Sequence, residues 1–549
     1  MKIKYLQFLY FGLISLFLLS CQSKQSVDSI FYNALVYTSQ DQQPTAEAFA
    51  IKDGKFVAVG TTQEILAKYD AKEKIDVQKK PIYAGFHDAH CHFYGYGKFL
   101  NEANLVGATS WDEILERLKK FDTQNPNNTW LIGRGWDQNL WQNKEFPTKE
   151  KLDQLFPNKP VFLTRIDGHA AIVNQKALQI AQIQADTQIQ GGILIKQNNQ
   201  LTGVLIDNAI KLVEKYIPEP SPTEIKKYLL SAQEKCFAVG LTSIADAGLD
   251  RKVIETIEQA HAEQSLKMRI YAMVSSTPDN LAYYLKKGKI KTDFLNVCSF
   301  KIYADGALGS RGACLLQPYS DSPKEYGILL KTPQELVQLI KQISEKDFQV
   351  CTHAIGDSAN RLVLNIYKDL LKGKNDKRWR IEHAQVVAPT DFDKFGQYNI
   401  IPSVQPTHCT SDMHWAKERL GKDRLQFAYA YKALLKQNNY IPLGSDFPVE
   451  DINPLYGFHA AVARQDANGE PKGGFQMENA LTRQEALKGM TIWAAKANFE
   501  DQEKGSIEPN KWADFVILDQ DIMQIPIEKI RNVKVISTYI AGKKVFERK

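Results

Sequence analysis

Two histidines one residue apart, His90 and His92, stand in the run Phe86-His87-Asp88-Ala89-His90-Cys91-His92. On an extended strand, side chains two positions apart point to the same face, so both imidazoles can meet one metal ion. His87 has the opposite parity and reads as structural, whereas Asp88 shares the ligand face. Alone the pair is a weak signal, because a buried histidine more often satisfies a core hydrogen bond. Its weight comes from the later part of the chain. Lys301 interrupts the apolar run Ser299-Phe300-Lys301-Ile302-Tyr303, and His353, His383 and Asp446 each close a later apolar stretch. Polar side chains, most of them metal-ligand types, at the ends of five separate strands make a metal centre the expected chemistry.

Those groups meet only if their strands converge. Apolar strand candidates lie at 82–92, 240–247, 268–275, 297–304, 349–353, 379–383, 400–405 and 440–446, with amphipathic helical stretches such as 333–345 and 358–371 between them. Eight strands with helical crossovers predict an α/β fold, a (β/α)8 TIM-type barrel over residues 84–498, whose strand carboxyl ends open on one mouth. The gap after the first strand is too long for one crossover and holds strands of its own. Residues 120–215, approximately, are therefore expected to form an insertion over the mouth. Short strands and an Asp53-Gly54 turn fill 28–83, and the same texture returns over 499–549, so both termini are expected to build one small β-sandwich domain.

Composition narrows the function classes. The 549 residues carry 69 basic and 63 acidic groups, well mixed and without a basic stripe, which excludes a nucleic-acid partner. A hydrophobic share of 44% excludes a disordered chain. One end departs from this globular body. Lys2 and Lys4 precede an apolar run from Leu6 to Leu19, and Ser20-Cys21 ends it. The pattern resembles a bacterial lipoprotein signal with its lipobox: residues 1–20 as signal peptide, Cys21 as the lipidation site and 21–29 as a linker. The resemblance implies a lipid-anchored protein of the cell envelope, touching the membrane through that anchor alone. The six other cysteines form no C-x-x-C pair and are expected to be unbridged.

The order His-x-His, Lys, His, His, Asp resembles the amidohydrolase superfamily. The strings KIYADGALGSRGA, THAIGD, RIEHAQ and GSDFPV, with GSIEPNKWADFVILD near the end, resemble its amidohydrolase-3 or YtcJ-like branch over nearly all of 28–549. One departure is Ala84, where such proteins usually have Pro. The resemblance implies a metal-dependent hydrolase with one or two divalent ions, best matched by zinc. His90, His92, Lys301, His353, His383 and Asp446 are then its ligands, and Lys301 bridges two ions once its amine is carboxylated. Such a metal activates water and polarises a carbonyl, while Asp446 moves the proton.

The implied activity is hydrolysis of a C–N bond of a small, non-peptide amide, of N-acyl or N-formyl type. His169, in Arg165-Ile166-Asp167-Gly168-His169, resembles a family segment that approaches the metal and could bond the carbonyl or its oxyanion. Trp136, Trp141 and Tyr303 are candidates for an apolar pocket, and Arg311 for holding a carboxylate. Two other readings stay open: a deaminase of a ring amidine, disfavoured by Asp357 where such sites carry Glu, and a non-catalytic metal-binding or regulatory lipoprotein. A homodimer is also left open.

Overall fold

The computed structural model describes residues 24–126 and 128–549. The expected leader and Cys21 lie outside the described residues. Seven parallel strands follow one another around a sheet: β1 (Phe86–Cys91), β2 (Leu241–Leu249), β3 (Arg269–Ser275), β4 (Leu295–Tyr303), β5 (Gln349–Ala354), β6 (Arg380–His383) and β7 (Ile401–Ser403). The eighth segment closes the ring with little regular strand. Leu443 bridges Val404 after β7, and on the other side Ala89 N donates to Leu443 O and Asp446 N to His90 O. The result is a nearly closed parallel barrel of TIM type.

Two expectations shift in register. The apolar run 82–92 is not one strand: Pro81–Ala84 pairs with Phe515–Leu518 in a different sheet, and the chain breaks at Gly85 before β1. The eighth segment stays irregular because Gly444 packs against β1 backbone. A Cβ there would lie 2.5 Å from His90 N. Helices Pro333–Ser344 and Asp357–Leu371 occupy the expected crossovers, the first opened by a Thr332–Glu335 capping box.

Between β1 and β2 the chain builds a six-stranded sheet from Ala103–Asn104 to Gln200–Asp207. Alternation along its strands gives it two apolar faces. Leu131, Leu163, Ile172 and Ile206 face one cluster, and Phe162, Val173 and Leu205 face another. Both terminal regions form sheets. Gln25–Tyr32, Ala48–Lys52, Lys55–Gly60 and Tyr69–Asp76 make one, and Leu35–Tyr37, Pro81–Ala84, Phe515–Leu518, Val535–Ile540 and Lys543–Glu547 belong to the other. They share a core of Phe31, Phe49, Phe56, Phe515 and Tyr539. The first strand begins at Gln25, inside the stretch expected as a linker. Among the described residues no helix is long and apolar enough to cross a membrane, and the described cysteines are free.

Candidate metal centre and active site

β1 ends with His90 inside the barrel and His92 at the mouth, opening the helix Phe93–Phe99. Ligand atoms of His90, His383 and Asp446 all lie within 4.8 Å of one another, and all three residues are buried. His92 Nε2 stands 3.1 Å from Asp446 Oδ1. The His353 ring centroid is 4.6 Å from that of His383, and Lys301 Nζ is 3.3 Å from His90 Nε2. The structure thus gathers the six expected ligands at one end of the barrel, near the carboxyl ends of β1, β4, β5, β6 and the closing segment, with His90, His383 and Asp446 as the mutually close set.

Hydrogen bonds decide which atoms remain available. His90 Nδ1 is bonded to Glu382 Oε2 at 2.5 Å and His383 Nδ1 to Gln405 Oε1 at 2.7 Å, which leaves Nε2 of each ring toward the centre. Burial, helped by Lys301, holds His90 down to about 4, against the pull of Glu382. Burial likewise drives His353 and His383 well below the ordinary range, so their lone pairs are free at neutral pH. For Asp446 burial acts upward, but the close approach of His92 and the neighbouring His90 and His383 keep its carboxyl well below the usual range. Asp446 Oδ1 and His408 Nε2 are buried without a hydrogen-bond partner. Neutral imidazoles and an ionised carboxylate with an unmet oxygen fit a divalent cation.

Backbone strain concentrates here. His383 (φ 74°), Ala384 (φ 41°) and Asp446 (φ 64°) all adopt left-handed conformations that non-glycine residues avoid. Each turn aims a ligand. On a regular strand Glu382 and His383 would face opposite ways, yet the twist at His383 lets both serve the centre. Sequence reasoning missed Glu382, Gln405 and His408. The first lies beside His383 in RIEHAQ, and the others follow β7 in Gln405-Pro406-Thr407-His408, the start of the helix Pro406–Asp412. Asp88 is no ligand. Its carboxylate accepts from His90 N, Ser445 N and Ser445 Oγ and clasps the closing segment, while burial pushes it up to about 7. His87 bonds Asn498 away from the centre.

The centre opens into a cavity of about 600 Å³, walled by the apolar side chains Tyr96, Phe99, Leu140, Tyr303, Trp415 and Ile452. His169 enters this cavity from the insertion, its ring 5.2 Å from that of His353 and its Nδ1 2.7 Å from Asp207 Oδ1. Burial lowers the affinity of His169 for its proton, but Asp207 more than offsets this and the net shift is upward. Arg165 is fixed between Asp137 and Asp167 beneath it. Trp136 and Trp141 do not reach the cavity. Their indole nitrogens donate to Leu163 O and Ala108 O inside the insertion core. Arg311 also lies outside the cavity, paired with Asp321 at 3.0 Å. Asp357 is the first residue of its helix and accepts from Leu316 N.

Residues 73–546 match the amidohydrolase family. YtcJ of Bacillus subtilis is 32% identical over 95% of this chain and 99% of its own length. The N-substituted formamide deformylase of Arthrobacter pascens is 26% identical over 95% of this chain and 99% of its own. Among solved structures, a metal-dependent hydrolase from Pyrococcus horikoshii OT3 superposes with a TM-score of 0.75 at 26% identity, covering 91% of this chain and 99% of that one. The chain belongs to the amidohydrolase family and carries the fold of its metal-dependent hydrolases.

Proposed function

We propose that this protein hydrolyses the C–N bond of a small non-peptide amide, an N-formyl or N-acyl amine. The observation that carries the reading is the convergence of His90, His383 and Asp446 within 4.8 Å at the floor of an apolar-walled cavity. The similarity to the Arthrobacter pascens deformylase supports a formamide-like substrate. His90, His92 and Asp446 would hold one divalent ion and His353 and His383 a second, with zinc the best match to this donor set. When bound, such an ion lowers the pKa of water to about 7 and polarises the substrate carbonyl.

The chain supplies the rest. Asp446 takes the proton of the attacking water and delivers it to the leaving amine. His169 hydrogen-bonds the carbonyl oxygen, and Tyr303 with its neighbours shields the acyl group from water. Lys301 is buried and forms no ion pair among the described residues; its Nζ meets only His90 and, at 4.6 Å, the Tyr303 ring. An unpaired buried ammonium is costly, and carboxylation would replace it with an anion able to help hold a divalent ion.

Metal analysis combined with a panel of N-formyl and N-acyl amines tests the reading. The expected result is stoichiometric zinc and turnover of at least one panel member, with Asp446→Asn folded and metal-loaded but inactive. Wild-type turnover in Asp446→Asn would remove Asp446 from the mechanism. Full metal with no hydrolysis of any member would point to a binding protein instead.

The two terminal sheets and their common aromatic core support reading both ends of the chain as one β-sandwich domain. Residues 1–20 are proposed as the lipoprotein signal and Cys21 as the lipidated residue, which puts the protein in the cell envelope.

A further inference from the structure

His169 reaches the centre from the insertion and not from the barrel, so something must hold it there. Asp207 occupies the place to do so. It is the last residue of the strand Gln200–Asp207, and its side chain is fully buried. Two contacts join it to His169: Asp207 N donates to His169 O at 2.9 Å, and Asp207 Oδ1 bonds His169 Nδ1 at 2.7 Å. Asp207 adopts φ 49°, a left-handed conformation that swings its carboxylate out of the insertion sheet.

The barrel makes room for that carboxylate. A Cβ at Gly306 would lie 2.6 Å from Asp207 Oδ2, and a Cβ at Gly312 would lie 2.8 Å from the same atom. These glycines stand in the segment after β4, which is rigidly tied. Asp305 accepts from Cys314, Ile355 and Gly356 backbone nitrogens, and Gly306 O faces His353 Nε2 at 3.4 Å. The carboxylate therefore sits in a fixed two-glycine cradle, one side against the barrel and the other on His169. Asp207 Oδ2 finds no hydrogen-bond partner there among the described residues. A carboxylate used only to dock the insertion would be expected to meet a donor on the barrel with both oxygens.

We propose that Asp207 is the positioning residue of His169: its Oδ1 accepts the Nδ1–H hydrogen bond and fixes the ring, so that Nε2–H is the donor turned toward the substrate carbonyl. The inference rests on the reading of His169 as a contact of the scissile carbonyl. A carboxylate behind a functional histidine keeps the proton on the nearer nitrogen and orients the ring. Gly306 and Gly312 belong to the same device, because any side chain at either would expel the carboxylate.

A double-mutant cycle on para-nitroformanilide, whose hydrolysis releases yellow para-nitroaniline, tests this. Asp207→Asn is expected to lower kcat about 10–100-fold with KM within about twofold. In a His169→Ala background the same substitution is expected to change kcat by less than about twofold, because its target is gone. Equal losses in both backgrounds would overturn the inference and leave Asp207 a packing residue. A His169→Ala protein with wild-type kcat would instead overturn the reading of His169, a separate outcome. A second measurement needs no substrate: nitrogen NMR of isotope-labelled histidine should show His169 protonated at Nδ1 in the wild type and losing that preference in Asp207→Asn. The same Nδ1 signal in both proteins would overturn the inference.

Discussion

His90 has two ring nitrogens, and only one can serve a metal, because Glu382 holds Nδ1 at 2.5 Å. Glu382 is itself held: Arg380 Nε stands 2.7 Å from Oε1, both residues are fully buried, and Arg380 also donates to Ala89 O and Asn498 Oδ1. Burial acts to raise the Glu382 carboxyl, yet Arg380 and His90 keep it well below the ordinary range, so it is ionised at neutral pH. An anion behind His90 makes the opposite nitrogen a better donor to a cation. Glu382→Gln keeps the shape but removes the charge. The expected outcome is a metal affinity lowered about 10–100-fold, read by equilibrium dialysis against a competing chelator. Unchanged affinity would reduce Glu382 to a partner of Arg380.

At the scale of elements, the closing segment was expected as an eighth strand, forms little regular strand and yet matters most. It delivers Asp446 by running so close to β1 that Gly444 has no space for a side chain: a Cβ would lie 2.5 Å from His90 N and 2.7 Å from His90 O. Backbone cannot yield as a flexible side chain would. Gly444→Ala must withdraw the segment and loosen the 2.8 Å bond from Asp446 N to His90 O. The expected cost is about 1–3 kcal/mol, read as a lower urea midpoint together with weaker metal binding. Gly457→Ala is the control. Gly457 lies in the helix Pro454–Ala463, where a Cβ meets nothing within 4 Å, so its midpoint should hold or rise. A Gly444→Ala protein as stable as this control would mean that the closure is looser than its geometry. The same elements show what a sequence can tell. Parity picked out His90 and His92 as candidates, and position within or at the end of a recognisable apolar run picked out Lys301, His353, His383 and Asp446. Glu382 was hidden because left-handed backbone at His383 and Ala384 breaks the two-residue alternation. His408 was hidden because it belongs to a helix start, and Asp207 because nothing local links it to His169, 38 residues away. Trp136 and Arg311 looked like pocket residues only because aromatic and cationic types suit both pockets and cores.

At the scale of the whole molecule, the barrel and the terminal sheets are joined by buried charge. Arg269 on β3 makes a paired contact with Asp514, at 2.5 and 3.0 Å. Glu500, after the last barrel helix, meets Lys504 at 2.7 Å and Lys291 at 3.1 Å. Burial would raise the Glu500 carboxyl, but Lys504 and Lys291 outweigh it and hold the group down to about 2. A carboxyl whose folded pKa is depressed stabilises the fold above its unfolded value, near 4.5, and loses that contribution as pH falls toward about 2. Glu500→Gln leaves Lys504 buried beside a neutral amide. Its urea midpoint should fall below wild type above about pH 5 and converge with it near pH 2, and a gap that does not depend on pH would refute the ionic account. The amino-terminal end raises a second question of assembly. Sheet structure begins at Gln25, four residues after Cys21. Four residues span at most about 14 Å, so a lipid on Cys21 would keep the terminal sheets close against the membrane surface, too short a tether for the body to swing freely. The catalytic cavity belongs to the barrel and the insertion, and it draws no residue from the terminal sheets. Anchoring and hydrolysis should therefore separate cleanly. Cys21→Ser, expressed with its leader in a bacterial host, is expected to move from the membrane pellet to the soluble fraction, lose the mass of the lipid, and retain the specific activity of the anchored protein. If the variant still sediments with membranes and its mass matches an unlipidated wild type, Cys21 carries no anchor.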